Sequence, residues 1–287
     1  MSMVPIGTIL ACVVTLLISV ALPLGIVLLF AVKFQGRGLI IPWLAGAAGF
    51  FVTQILIRVP ILTLLQTQSW FLEFAQAMPF VYMFTLAFTA GLFELAGRYG
   101  VARILARKLN FSRSLAAGLG HGGIEAVVIT GSAMVSNFAF IFMINTGTYD
   151  FLLEEAKAAG MNAAQLELTI SQLELIREQL VTYAPGLFLL SGFERILAMV
   201  CHAGMSMLVC YGVTHKKLWP CLLGCLAIHT AIDLTAGISV LIGTKLTQAA
   251  AYTIIYSILT LAAAASLVLI RVLSRRWQPT PNKEVNS

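Results

Sequence analysis

Apolar residues dominate this chain in seven long runs, at roughly 4–32, 39–65, 77–97, 114–146, 184–213, 218–243 and 247–272, separated by shorter polar connections. Each run approaches or exceeds the about 20 residues that a helix needs to cross a bilayer. Several have no polar face, which excludes a soluble helical core. The pattern predicts an all-α, polytopic integral membrane bundle of about seven transmembrane helices, forming a single membrane domain over 1–276. Some runs are longer than a crossing requires, so tilt or extension beyond the lipid is expected. The longest connection, 149–183, places Leu166, Ile170, Leu173 and Ile176 at helical spacing among acidic residues. It reads as an external amphipathic segment. The end of the chain, WQPTPNKEVNS at 277–287, reads as a disordered tail.

Composition agrees. Hydrophobic residues make up 59% and charged residues 10% of the 287 positions, against about 25% charged in a soluble domain. The formal net charge of +6 does not point to nucleic acid, because the basic residues sit between the apolar runs. Lys33 and Arg37 follow the first run; Arg98, Arg103, Arg107, Lys108 and Arg113 follow the third. Lys216 and Lys217 follow the fifth; Arg271, Arg275, Arg276 and Lys283 follow the seventh. The alternate connections hold only Lys157, Arg177 and Lys245, with Arg58 near the end of run two. By the positive-inside rule the N-terminus lies outside and the C-terminus in the cytoplasm, with the bacterial cytoplasmic membrane as the expected location. The first run has no basic segment before it and is too long for a signal-peptide core, so it reads as a retained helix. The five cysteines lie in apolar segments without a C-x-x-C pair and read as buried thiols.

Ionisable residues inside these runs change the picture, because each costs about 2.5–3.5 kcal/mol to insert. They recur at helical spacing. Run three ends in GLFELAGR, which puts Glu94 and Arg98 on one face; run four opens with GLGHGGIEA, which does the same for His121 and Glu125. In run five, GFERILAMVCHAG places Arg195 and His202 seven apart, with Glu194 on the neighbouring face. In run six, IHTAIDL aligns His229 with Asp233, which is placed to fix the imidazole tautomer. Each group also reads as a locally neutralised pair. Depth argues otherwise: from the basic end Glu94 lies about 6 Å in, His121 about 12 Å, and His202 and His229 about 17 Å. Carboxylates and imidazoles from four helices in one layer suggest a single hydrated chamber.

A carboxylate in a low-dielectric chamber serves as a general base, and an imidazole polarises a carbonyl or stabilises an oxyanion. An arginine tempers the burial of the carboxylates. Other intramembrane chemistries lack their motifs: there is no H-E-x-x-H, no G-x-S-G, and no aspartate pair of the G-x-G-D type.

The order of motifs over about residues 80–240 resembles the YhfC family of intramembrane peptidases, related to the PrsW and CAAX-protease-like (CPBP) families. Glu94 and Arg98 match the E-E-x-x-R/K motif of those relatives, with Leu95 in place of the second glutamate. GHGGIEA resembles the second motif through His121 and Glu125, and ERILAMVCH the third through Glu194, Arg195 and His202. HTAID resembles the closing H-x-x-x-N/D motif through His229 and Asp233. The resemblance implies an enzyme of the hydrolase class, a glutamic-type intramembrane endopeptidase acting on membrane-protein or lipidated-peptide substrates without a cofactor. In it Glu94 or Glu125 activates water, His121, His202 or His229 stabilises the oxyanion, and Asp233 orients His229. Two alternatives stand beside it. One is a zinc-dependent protease using His121, Glu125, His202 and His229. The other is a transporter or small-molecule binder that uses the same groups as a proton relay.

Overall fold

The structure is a computed structural model that describes residues 3–33, 38–160, 163–242 and 247–277. The tail expected to be disordered lies, from 278 on, outside the described residues, as do Arg37, Lys245 and Lys283. All regular structure among the described residues is helical. Among the described residues seven helices are long and apolar enough to cross a membrane: Ile6–Val32, Ile40–Gln66, Pro79–Lys108, Phe111–Thr146, Pro185–Thr214, Leu218–Thr235 and Ala249–Arg276. They are called spans one to seven below. They match the seven apolar runs in order. Large side chains such as Leu28, Ile41, Leu64, Leu261 and Val268 are exposed along them, the surface expected of helices solvated by lipid.

Local chemistry sets the ends. Pro79 and Pro185 open spans three and five, where a missing N–H costs no helical bond. Span four stops at Gly147, whose φ of 75° is left-handed. Its N–H bonds to Ile144 O and that of Thr148 to Met143 O, so the last carbonyls are satisfied. Spans one, two and four each carry a π-helical stretch, at Leu17–Ala21, Phe51–Arg58 and Val127–Gly131. Such widened turns concentrate at functional sites.

The chain forms two compact units. The first comprises Met1–Leu22 and Ala126–Ile196. Its core joins Val4, Cys12, Met134, Ile141, Ile144, Tyr149 and Leu180. The connection expected to be amphipathic forms two helices, Tyr149–Ala158 and Ala163–Thr182. The Tyr149 hydroxyl donates to Leu173 O at 2.7 Å, and Arg177 pairs with Asp150 at 3.0 Å. Leu173 and Ile176, two residues of the apolar stripe read from the sequence, pack on the core.

The second unit comprises Pro23–Glu125 and Leu197–Ser287, and it holds the site. Its helices approach closely because glycines face backbone. Gly120 lies against Trp43 and Gly46 against Ala117, joining spans two and four. Gly97 meets Gly49, joining spans two and three, while Gly118 and Gly122 meet Ala203 and Met199 of span five. Small residues at such crossings let dispersion and main-chain contacts hold helices together where lipid supplies no hydrophobic drive.

Candidate metal centre

Glu94 is the hub. It is buried on span three, and its Oε2 receives Arg98 Nη2 at 3.0 Å, His121 Nε2 at 3.0 Å and His229 Nε2 at 2.8 Å. His202 Nδ1 stands 3.6 Å from the same oxygen. Its other oxygen, Oε1, accepts from Gln54 Nε2 at 3.0 Å. Five helices therefore converge on one carboxylate. Glu94 and Arg98 share a face because they are one turn apart. His121 reaches in because Gly118, Gly120 and Gly122 flank it and let span four settle against spans two and five. Phe50 meets the His121 ring edge-on, with centroids 5.3 Å apart. His121 and His202 stack at 5.3 Å, and His202 meets His229 at 5.7 Å.

A second layer of carboxylates stands behind two imidazoles. Glu125 Oε2 is 2.6 Å from His202 Nε2, and Asp233 Oδ2 is 3.2 Å from His229 Nδ1. Arg98 Nη2 points at His202 Nδ1. A guanidinium only donates, so that nitrogen carries the lone pair, and the proton of the neutral ring sits on Nε2, facing Glu125. Both His202 Nδ1 and His229 Nε2 thus aim at Glu94, each with a carboxylate at its far nitrogen.

The structure brings together seven of the nine residues singled out in the sequence: Glu94, Arg98, His121, Glu125, His202, His229 and Asp233. It re-pairs some of them. His121, read from the sequence beside Glu125, meets Glu94, and Glu125 meets His202. Glu194 and Arg195 belong to the other compact unit, where they pair with each other. Leu95, which departs from the E-E-x-x-R/K pattern, packs in an apolar cluster with Cys201, Met205 and Cys225. A carboxylate there would be buried among apolar side chains. Gln54 was missed because it is not ionisable. Its signal was present: a lone amide in the apolar stretch FVTQILIR of span two.

One carboxylate oxygen of Glu94 and one ring nitrogen each of His202 and His229 lie within 4.8 Å of one another. Two imidazoles and a carboxylate are a donor set of catalytic zinc sites. Carboxylates behind the ligating imidazoles are their usual support. Glu125 and Asp233 have that position, so these residues fit a divalent metal ion. The set differs from the one inferred in the sequence: Glu94 replaces His121 and Glu125.

An all-helical membrane protein with a Glu–His–His group buried between its spans belongs to the class in which polar chemistry is housed inside the bilayer. The comparisons narrow the class. The profile described as "YhfC intramembrane metalloprotease" matches residues 18–259, and the chain belongs to the YhfC family. It is similar to the "Uncharacterized membrane protein YhfC" of Bacillus subtilis (strain 168), with 32% identity over 201 residues, 70% of this chain and 73% of that protein. No solved structure matches the chain. The family's description corrects the expectation of an enzyme without a cofactor: the family is one of metalloproteases.

Proposed function

We propose that this chain is a metal-dependent intramembrane endopeptidase, and that Glu94, His202 Nδ1 and His229 Nε2 hold the metal ion. The observation that carries the reading is the cluster of those three donors within 4.8 Å of one another, with Glu125 and Asp233 behind the two imidazoles. Bound there, a divalent ion supplies Lewis acidity, which makes water a nucleophile near neutral pH and polarises a peptide carbonyl.

The chain's own residues do the rest. Glu125 faces the His202 proton on Nε2 and so leaves the lone pair on Nδ1, which would turn from Arg98 to the ion on ligation. Asp233 does the same for His229 through Nδ1. Gln54 donates to Glu94 Oε1 and fixes the rotation of its carboxylate. Arg98 balances the charge of Glu94 from one turn below. His121 is the remaining imidazole, with Nε2 3.0 Å from Glu94 Oε2; it moves the proton that the leaving amine must take. The substrates are membrane-embedded or membrane-associated polypeptide segments, since a buried site within the spans is reached by chains that partition into the bilayer. The basic residues in the 106–110 and 215–217 connections support a cytoplasmic location for those ends of the bundle.

The test is cleavage of candidate membrane-protein substrates in membranes that contain the wild-type chain. Cleavage should stop with a zinc chelator and with Glu94→Gln, and return when metal is restored to the wild type. Cleavage that resists the chelator, or that survives Glu94→Gln, removes the reading.

A further inference from the structure

The two ends of the site differ. On the side of the 106–110 turn the metal-ligand group is capped by apolar side chains: Leu95, Ala102, Cys201, Met205, Val209 and Cys225 pack as one buried cluster. On the opposite side the lining is polar. One turn beyond Gln54 on span two, Arg58 Nη2 donates to Leu86 O at 2.7 Å and reaches Thr89 Oγ1 of span three at 3.4 Å, so Thr89 lines the same side. Arg58 lies within electrostatic reach of both Asp233 and Glu94. Asp233, one turn beyond His229, has a side chain 35% exposed, against 5% for His229, so this is the edge at which the group opens. The buried polar atoms here without a hydrogen-bond partner include Gln54 Oε1, an acceptor, and Arg58 Nε, a donor. Buried polar atoms are nearly always paired. An orphaned acceptor and an orphaned donor about one helical turn apart are the complement of a peptide main chain, whose N–H and C=O groups alternate.

We infer that water and substrate reach the Glu94–His202–His229 group along a polar lane between spans two, three and six. In that lane Gln54 Oε1 and Arg58 Nε bind the main chain of an extended polypeptide segment. Recognition is then of backbone rather than of side chain, and it requires a segment whose own helix has been unwound. The peptide-binding part rests on the proposed peptidase function; the position of the lane does not.

Thiol accessibility tests both. The five native cysteines are buried, so the wild type is the blank. In reconstituted protein, Arg58→Cys and Thr89→Cys should react with a cationic thiosulfonate at least about tenfold faster than Leu95→Cys and Met205→Cys. Thr89→Cys keeps the comparison valid if Arg58→Cys fails to fold. A leucyl-leucine hydroxamate, which joins a peptide to a metal-binding group, should slow labelling at Thr89→Cys about tenfold, whereas acetohydroxamate should not. Faster labelling of the two cap positions overturns the lane. Equal protection by both hydroxamates, or by neither in protein that carries metal, overturns the peptide subsite. Metal-free wild-type protein with the lane pattern intact removes the peptidase reading and leaves the lane.

Discussion

Replacing Gly120 by Ala should disrupt the site through a single methyl group. An added Cβ would fall 2.7 Å from Trp43 C and 2.9 Å from Trp43 Cα, and closer still to the carbonyl oxygen, where ordinary contact begins at 3.4 Å. All three are backbone atoms of span two, so no rotamer change relieves the clash. Spans two and four must part by about 1 Å, and overpacking of this kind costs about 1–3 kcal/mol. The adjacent residue, His121, would be drawn from Glu94 Oε2, which it meets at 3.0 Å. Gly100→Ala is the control: nothing lies within 4 Å of its Cβ position, and alanine in an open helical position gains up to about 1 kcal/mol over glycine. The two variants should differ by about 2–3 kcal/mol, or roughly 4–10 °C in thermal unfolding followed in detergent by intrinsic fluorescence. Equal melting of the two variants would refute the claim that the glycines set the helix spacing that builds the site.

Other outcomes follow from the same geometry. Glu125→Gln and Asp233→Asn should each weaken metal affinity by about 10–100-fold without abolishing binding, as read by competition with a zinc-responsive dye, because each orients an imidazole without ligating. Gln54→Leu removes the donor to Glu94 Oε1 and should cost about 1–3 kcal/mol in stability, measured as a lowered unfolding temperature; no change would show that Gln54 is incidental. Glu194→Gln should leave metal affinity within twofold of the wild type (about 0.4 kcal/mol), since Glu194 pairs with Arg195 in the other unit.

Much of this was legible in the sequence, and unevenly. Spans were read from length and apolarity alone, and the seven helices fall where the runs do. Helical spacing found Glu94–Arg98 and His229–Asp233 because both partners lie on one helix. The same rule misled for His121 and Glu125, whose stronger partners come from other helices. Sharing a face says which way two side chains point, not which of several neighbours they meet. Counting depth from the basic end placed four helices' polar groups in one layer but could not rank the donors. That ranking depends on rotation about each helix axis, which the glycine contacts set. Gln54 escaped a search confined to titratable groups, although a lone amide in an apolar span is costly for the same reason.

The most direct measurement is the metal content of the purified chain, by plasma mass spectrometry after exhaustive dialysis and after reloading with zinc. The account predicts one tightly held divalent ion per wild-type chain, lost in Glu94→Gln, His202→Ala and His229→Ala and kept in Glu194→Gln. A chain that folds but takes up no metal, or one whose metal survives all three ligand substitutions, would contradict it.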